Sequence, residues 1–343
     1  MTTVKNKVYQ LLLKNPGSTT SELNERGRFS NRTYISKTLA TLIRENKVRS
    51  ERHGRNIVYF VTDHVIALEE NLNLVGLRED EIWSKVRKST TFLNDLTENA
   101  ENILYFAFTE MLNNAIDHSR SGVGYVKIWL ENNQLRFIVK DHGVGVFKNV
   151  MISRNLPTEV DAARELIKGK LTTQPGWHSG EGLFWTSKIA DLFSLTSYDY
   201  KLTVDNSLND YTITKNDTPL IGTAVYFEIN KNTTTSLQAL FRDFSFDHNK
   251  LTLDTTIVPV KLFDEGEIWI SRSQAKKLLS GLEKYKKIIF DFAGIEVIGQ
   301  AFADEIFRVF NIHHPHIELE PINMSESVKL MVEHAINNPT GRG

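Results

Sequence analysis

Between residues 100 and 229 the chain sets glycines, carboxylates and carboxamides at the ends of regular elements four times, in a fixed order. The first is AENILYFAFTEMLNNAIDHS, which reads as a long amphipathic helix with Leu104, Phe108, Met111 and Ala115 on its apolar stripe. Glu110, Asn113, Asn114 and Asp117 cluster on the other side, Glu110 and Asn114 one turn apart. Next, LRFIVKDHGVGVF carries a strand straight into Asp141-His142-Gly143-Val144-Gly145. HSGEGLFWTSKIADLF then sets Gly180 and Gly182 immediately before a helix. Finally, Leu220-Ile221-Gly222-Thr223 leads into the strand AVYFEI. A core helix seldom presents several carboxamides and carboxylates along one face without a task for them. Singly these motifs are weak; four in order, each on a fitting element, are a strong signal.

The four boxes resemble those of the GHKL ATPase superfamily (gyrase B, heat-shock protein 90, histidine kinases), to which the anti-sigma-factor serine kinases also belong. The resemblance covers residues 80–230. It implies a Bergerat-type α/β sandwich that binds ATP with Mg²⁺. Asn114 would coordinate the magnesium, which prefers oxygen ligands. Glu110 matches the carboxylate that activates water in the hydrolysing members. Asp141 would accept a hydrogen bond from the adenine amino group, and Gly143 and Gly145 would let the backbone approach the purine without a Cβ clash. Gly180, Gly182 and Leu183 would cradle phosphates at a helix N-terminus. Thr223 would support the adenine end, and Asp117 and His118 complete the nucleotide-binding set. Residues 146–179 would form a lid, with Lys148, Arg154, Arg164, Lys168 and Lys170 available to offset phosphate charge. One departure stands out. Phe184 and Trp185 follow Leu183 where a small residue is usual, which is expected to reshape the phosphate end and slow turnover. No His with a following acid precedes the site, so autophosphorylation on histidine is not expected.

The N-terminal 66 residues differ in charge. They carry 12 Lys and Arg against 5 Asp and Glu, a net of +7, leaving −8 for the other 277 residues. VKNKVYQLLLKN reads as a helix, stopped by Pro16-Gly17. Ser18 or Thr19 can cap a second helix, and Ser30 a third running from Asn31 to Asn46. The runs KVRSERH and NIVYFV then form a hairpin across Gly54. Three helices and a basic hairpin resemble the winged helix-turn-helix of bacterial transcription regulators. That resemblance implies DNA contact. Asn31, Arg32, Thr33, Tyr34 and Lys37 would lie on the recognition helix, and Arg49, Arg52 and Arg55 on the wing would neutralise phosphates.

Residues 67–100 read as a helical entry segment. From 255 onward strands and helices alternate: TIVPVKLF, RSQAKKLLSGLEKY, KIIFDFAG, GQAFADEIFRVF, HIELEPI and SESVKLMVEHAI. The stretch IIFDFAGIEVIGQAFADEIFRVF resembles STAS domains, in particular a divergent group with the signature Phe302-Ala303-Asp304-Glu305. Regulatory STAS domains are phosphorylated on a serine at the strand-to-helix turn. Here that turn is Val297-Ile298-Gly299-Gln300-Ala301-Phe302, which offers no Ser or Thr, so an interaction module is expected. Asp304 and Glu305 are either surface contacts or solvated helix residues.

The expected fold is therefore α+β and multidomain: a winged helix (1–66), a Bergerat-type ATP-binding domain (67–235) and a small STAS-like α/β domain (250–338). The chain has no cysteine, which excludes disulfides, thiolate metal sites and cysteine nucleophiles. No run approaches a membrane span and the first residues hold no apolar signal, so a cytoplasmic protein is expected. The leading expectation is an ATP-switched, DNA-binding transcriptional regulator with slow ATP hydrolysis, acting as a homodimer with a protein partner at its STAS-like domain. The alternatives are a serine/threonine protein kinase of the anti-sigma type and a non-catalytic, nucleotide-dependent adaptor.

Overall fold

A computed structural model describes residues 4–29, 31–45, 47–61, 65–170, 181–246, 252–263 and 271–337; the side chains of residues 32, 90 and 91 lie outside the description. Ser30, Gly180 and residues 171–179 of the expected lid are likewise outside it.

The N-terminal unit runs α1 (Val4–Lys14), β1 (Ser18–Thr19), α2 (Thr20–Gly27), α3 (Arg32–Arg44), β2 (Val48–His53) and β3 (Asn56–Val61). Its sheet has the order β1-β3-β2 and is antiparallel. Thr19 and Glu22 form a reciprocal capping box that starts α2. The cap of α3, expected at Ser30, is Asn31, whose side chain accepts the Thr33 amide. Val8, Leu12, Leu23, Ile35, Leu39, Leu42 and Val48 form a core separate from that of the rest of the chain.

The sequence reading put a helical segment at 67–100. Residues Val65–Asn73 instead form β4, the edge of a five-stranded antiparallel sheet of order β4-β5-β6-β8-β7. Its partners are β5 (Val123–Glu131), β6 (Gln134–Asp141), β7 (Leu192–Asp205) and β8 (Asp210–Asn230). Ala67, Leu68, Glu69 and Glu70 are good helix formers, but tertiary pairing overrides them. Glu69 accepts from the Tyr125 hydroxyl (2.8 Å) and pairs with Lys127 (3.0 Å), both on the neighbouring strand. The helical part of that segment begins later, at α4 (Glu79–Arg87) and α5 (Thr90–Leu93).

The long amphipathic helix is α6 (Glu98–His118), capped by Thr97. Its apolar stripe packs on one face of the sheet, where Phe108 meets Phe137 edge-on and Phe137 stacks on Phe227 at 4.8 Å. β6 alternates strictly between buried and half-buried positions, as a one-sided strand must. Two further helices, α7 (Val146–Ser153) and α8 (Glu159–Ile167), follow β6, and α9 (Gly182–Ile189) precedes β7. Phe184 and Trp185 of α9 are buried against α10 (Leu237–Asp243) and its C-cap Phe244. Trp185 lies 4.7 Å from Phe241 and Phe184 lies 5.3 Å from Phe244, ring centre to ring centre. They are core residues, packed away from solvent against α10.

The C-terminal domain has a parallel three-stranded sheet of order β11-β10-β9. β9 (Thr255–Pro259) ends one residue before a 3-10 turn at Val260–Phe263, so TIVPVKLF is a strand only in its first half. Then come α11 (Arg272–Leu279), β10 (Lys287–Asp291) and α12 (Gln300–Asp304). α12 runs through a π-helical stretch, Glu305–Phe310, into α13 (Asn311–His313). β11 (Glu318–Ile322) and α14 (Glu326–Asn337) complete the fold. The cores of the central and C-terminal parts are continuous. Among the described residues no helix is long and apolar enough to cross a membrane.

Candidate functional site

A cavity of about 190 Å³ opens between α6 and the sheet. From α6 it receives Glu110, Asn113, Asn114, Asp117 and His118, because positions three and four apart share one helical face. From the end of β6 comes Asp141, from β8 Thr223, and from the start of α9 Gly182 and Leu183. Met111, Val139, Val150, Leu195 and Val225 give it apolar walls, suited to a flat ring. Residues separated by more than a hundred positions in the chain thus meet around one cavity, as the sequence reading expected.

Asp141 is 5% exposed. Its Oδ1 accepts the Gly143 amide at 2.8 Å and the Thr223 amide at 3.2 Å. Burial pushes its carboxyl above the ordinary carboxylate range, against the opposing pull of those two amides. Thr223 Oγ1 accepts the Val146 amide (3.0 Å), tying β8 to the start of α7. The Val144 amide donates to the Ser119 carbonyl (2.9 Å), closing the turn onto the end of α6.

This packing revises the role of two glycines. A Cβ at Gly143 would fall on the Ser119 carbonyl, and Gly145, at φ +79°, faces Ser197 and the Tyr198 ring. Both are already required by the protein's own close packing, and Gly145 also lines the cavity. Gly143→Ala is expected to cost at least about 2 kcal/mol, because the obstruction is backbone and cannot rotate aside. A urea midpoint unchanged from wild type would contradict this. At Gly182 a Cβ would fall on the Glu110 carboxylate, so that carboxylate rests against the first residue of α9, the positive end of its dipole.

The donor chemistry fits magnesium. Asn114 offers a hard amide oxygen on the cavity wall, one turn after Glu110, and Mg²⁺ characteristically takes one or two such protein ligands, with phosphate and water completing the set. Asn149 and Ser119 also line the cavity, though the sequence reading gave them no role. Asn149 sits one turn after Gly145, a spacing that could have flagged it.

Three of the five cations assigned to the lid are committed elsewhere. Arg164 Nε donates to the Leu262 carbonyl (2.7 Å), Lys168 Nζ to the Ser280 carbonyl (2.8 Å), and Lys170 lies 3.8 Å from Asp254. Lys168 is completely buried. These side chains serve the C-terminal domain and do not reach toward the cavity.

In the N-terminal unit, Thr33, Tyr34, Lys37, Arg49, Arg52 and Arg55 are exposed. Asn31 is occupied as the cap of α3, and Arg32 contributes backbone to its first turn. Arg49 pairs with Glu51 and lies over the Phe60 ring at 4.7 Å. The β2–β3 hairpin therefore holds its own counter-charge for one of three arginines.

The family model of a STAS-like domain of unknown function (DUF4325) matches residues 274–329. That stretch is a STAS-like domain. It contains β10 and β11 of the parallel sheet but not β9. Within it, Asp304 pairs with Arg308 (2.7 Å) and Arg272 (3.3 Å), while Glu305 is buried, with Lys276 at 3.8 Å. Neither signature acid is simply solvated. No curated protein matches the chain.

Proposed function

We propose that the chain is an ATP-binding transcriptional regulator of the GHKL type, reading DNA through a winged helix and acting as a dimer switched by nucleotide, with slow hydrolysis. The observation that carries the reading is the convergence of Glu110, Asn114, Asp141, Gly182 and Thr223 on one apolar-walled cavity. In this reading Asp141, held by two amides, orients the adenine amino group, and the apolar walls exclude water from the ring. Bound magnesium supplies charge neutralisation along the triphosphate. Glu110 takes the proton of the attacking water, and the backbone amides at the start of α9 face the phosphates. The antiparallel sheet with α6 and α9 on one face supports a Bergerat-type sandwich. The order helix-strand-helix-helix-hairpin at the N-terminus, with exposed bases on α3 and the hairpin, supports a winged helix.

Glu110→Ala is expected to keep ATP affinity within about threefold while lowering hydrolysis by about 10²–10⁴. Phosphate release and equilibrium binding, measured on the same preparation, check this; parallel loss of both contradicts the assigned role. The regulator itself is tested by titrating DNA with the full protein, with and without ATP-Mg, at two salt concentrations. Each phosphate contact contributes about 0.9 to the slope of log affinity against log salt. Nucleotide is expected to shift DNA affinity or oligomeric state, because it binds two conformations unequally. Tight nucleotide binding with neither changed rules the switch out. Labelled ATP separates hydrolysis, which frees phosphate, from transfer to a second protein.

A further inference from the structure

The C-terminal domain grips the central one at two places, and each gripped element also walls the cavity. The first is α8 and the turn after it. Leu166 of α8 lines the cavity. The residues around it are held from behind: the Thr256 hydroxyl (2.8 Å) and the Tyr285 hydroxyl both donate to the Lys168 carbonyl. Lys284 Nζ donates to the Gly169 and Lys170 carbonyls at 3.3 and 3.2 Å. The second place is the tip of the β7–β8 hairpin, where Asn209 donates to Asp291 at 3.2 Å. Asp291 is 2% exposed, at the carboxyl end of β10, and also accepts from Asn323 and the Ala293 amide. Lys188, at the far end of α9 from Gly182, donates to Tyr211 on the same hairpin (3.1 Å).

We infer that the C-terminal domain is an intramolecular regulatory element: its docking pins the cavity wall at α8 and the β7–β8 hairpin, so docking and nucleotide binding are thermodynamically linked. The inference rests on the nucleotide reading of the cavity and adds what controls it. The arrangement is distinct from a phosphate switch, because the grip is made of hydroxyl, amide and ammonium donors on backbone carbonyls and one buried carboxylate. A protein that captured the C-terminal domain by this face would have to displace the chain's own α8. Linkage is reciprocal, so nucleotide must in turn tighten the docking.

The test uses the full chain and a fluorescent trinitrophenyl analogue of ATP with magnesium. Tyr285→Phe removes one donor at the first grip without changing shape, and Asn209→Ala removes one at the second, outside the cavity. Each loses a bond worth about a threefold to tenfold shift in the docking equilibrium. The double variant is expected to bind the analogue at least threefold more weakly. In wild type, the analogue is expected to slow amide exchange at residues 280–286. If wild type binds the analogue while both variants bind equally well and exchange is unchanged, the linkage is overturned and the nucleotide reading survives. If wild type does not bind it at all, both fall together.

Discussion

Asn114→Ala is expected to weaken magnesium-dependent ATP binding by on the order of 100-fold or more while leaving the fold intact. The two halves of that expectation have separate causes. Asn114 is half-buried on α6, with its side chain on the cavity wall and not in the apolar stripe. Alanine is the better helix former by up to about 0.7 kcal/mol, so α6 gains rather than loses by the change. The metal, however, loses a protein oxygen, and a methyl group cannot replace it. Titration calorimetry with magnesium and with chelator checks this. The affinities of wild type should differ strongly between the two conditions, and those of the variant hardly at all. Equal magnesium dependence in both proteins removes Asn114 from the metal.

Asp141→Asn is expected to act in opposite directions on binding and on stability. A carboxylate accepting from a ligand amino group contributes about 1.5–3 kcal/mol, or roughly 10- to 150-fold in affinity. The asparagine amide would turn a donor toward that group, or give up the Gly143 and Thr223 amides to avoid it. Stability moves the other way. Burial raises the carboxyl of Asp141, so its ionised form is penalised in the folded state. Below the ordinary carboxylate range both states are protonated and nothing is lost. As pH rises through the elevated folded value the penalty comes into full force, and it persists at neutral pH. Asparagine keeps an acceptor for the two amides and carries no such penalty. Its stability advantage over wild type should therefore grow between pH 4 and pH 7, measured by urea unfolding of both proteins. An advantage that shrinks across that window contradicts the buried-carboxylate argument.

The site was legible in the sequence to the extent that its residues are close along the chain. Glu110, Asn113, Asn114 and Asp117 share a helical face by spacing alone, Asp141 ends a strand whose alternation is plain, and Thr223 lies within β8 just before its apolar run. What escaped notice depends on distant partners. Nothing near Arg164 or Lys168 announces that their acceptors are the carbonyls of Leu262 and Ser280, about a hundred residues on, so their charge was read as available for phosphate. Phe184 and Trp185 looked like an intrusion on the glycine turn because Phe241 and Phe244, which cover them, lie beyond the sheet's last two strands. The helical spacing of WSKVRKSTTFLNDL extends the expected helix back over β4, whose Ala, Leu and Glu residues do not oppose it; the pairing with β5, about sixty residues on, is what holds them extended.

The short step between β3 and β4 has a mechanical consequence. β3 ends at Val61 and β4 begins at Val65, so the joint between the basic unit and the edge of the central sheet spans at most roughly 14 Å even when fully stretched. With so little slack, the N-terminal unit stays within that distance of the edge of the central sheet. In the DNA-binding dimer proposed above, how the two central sheets face one another would set the orientation of the two units on a duplex, and the spacing of the half-sites would read out that geometry.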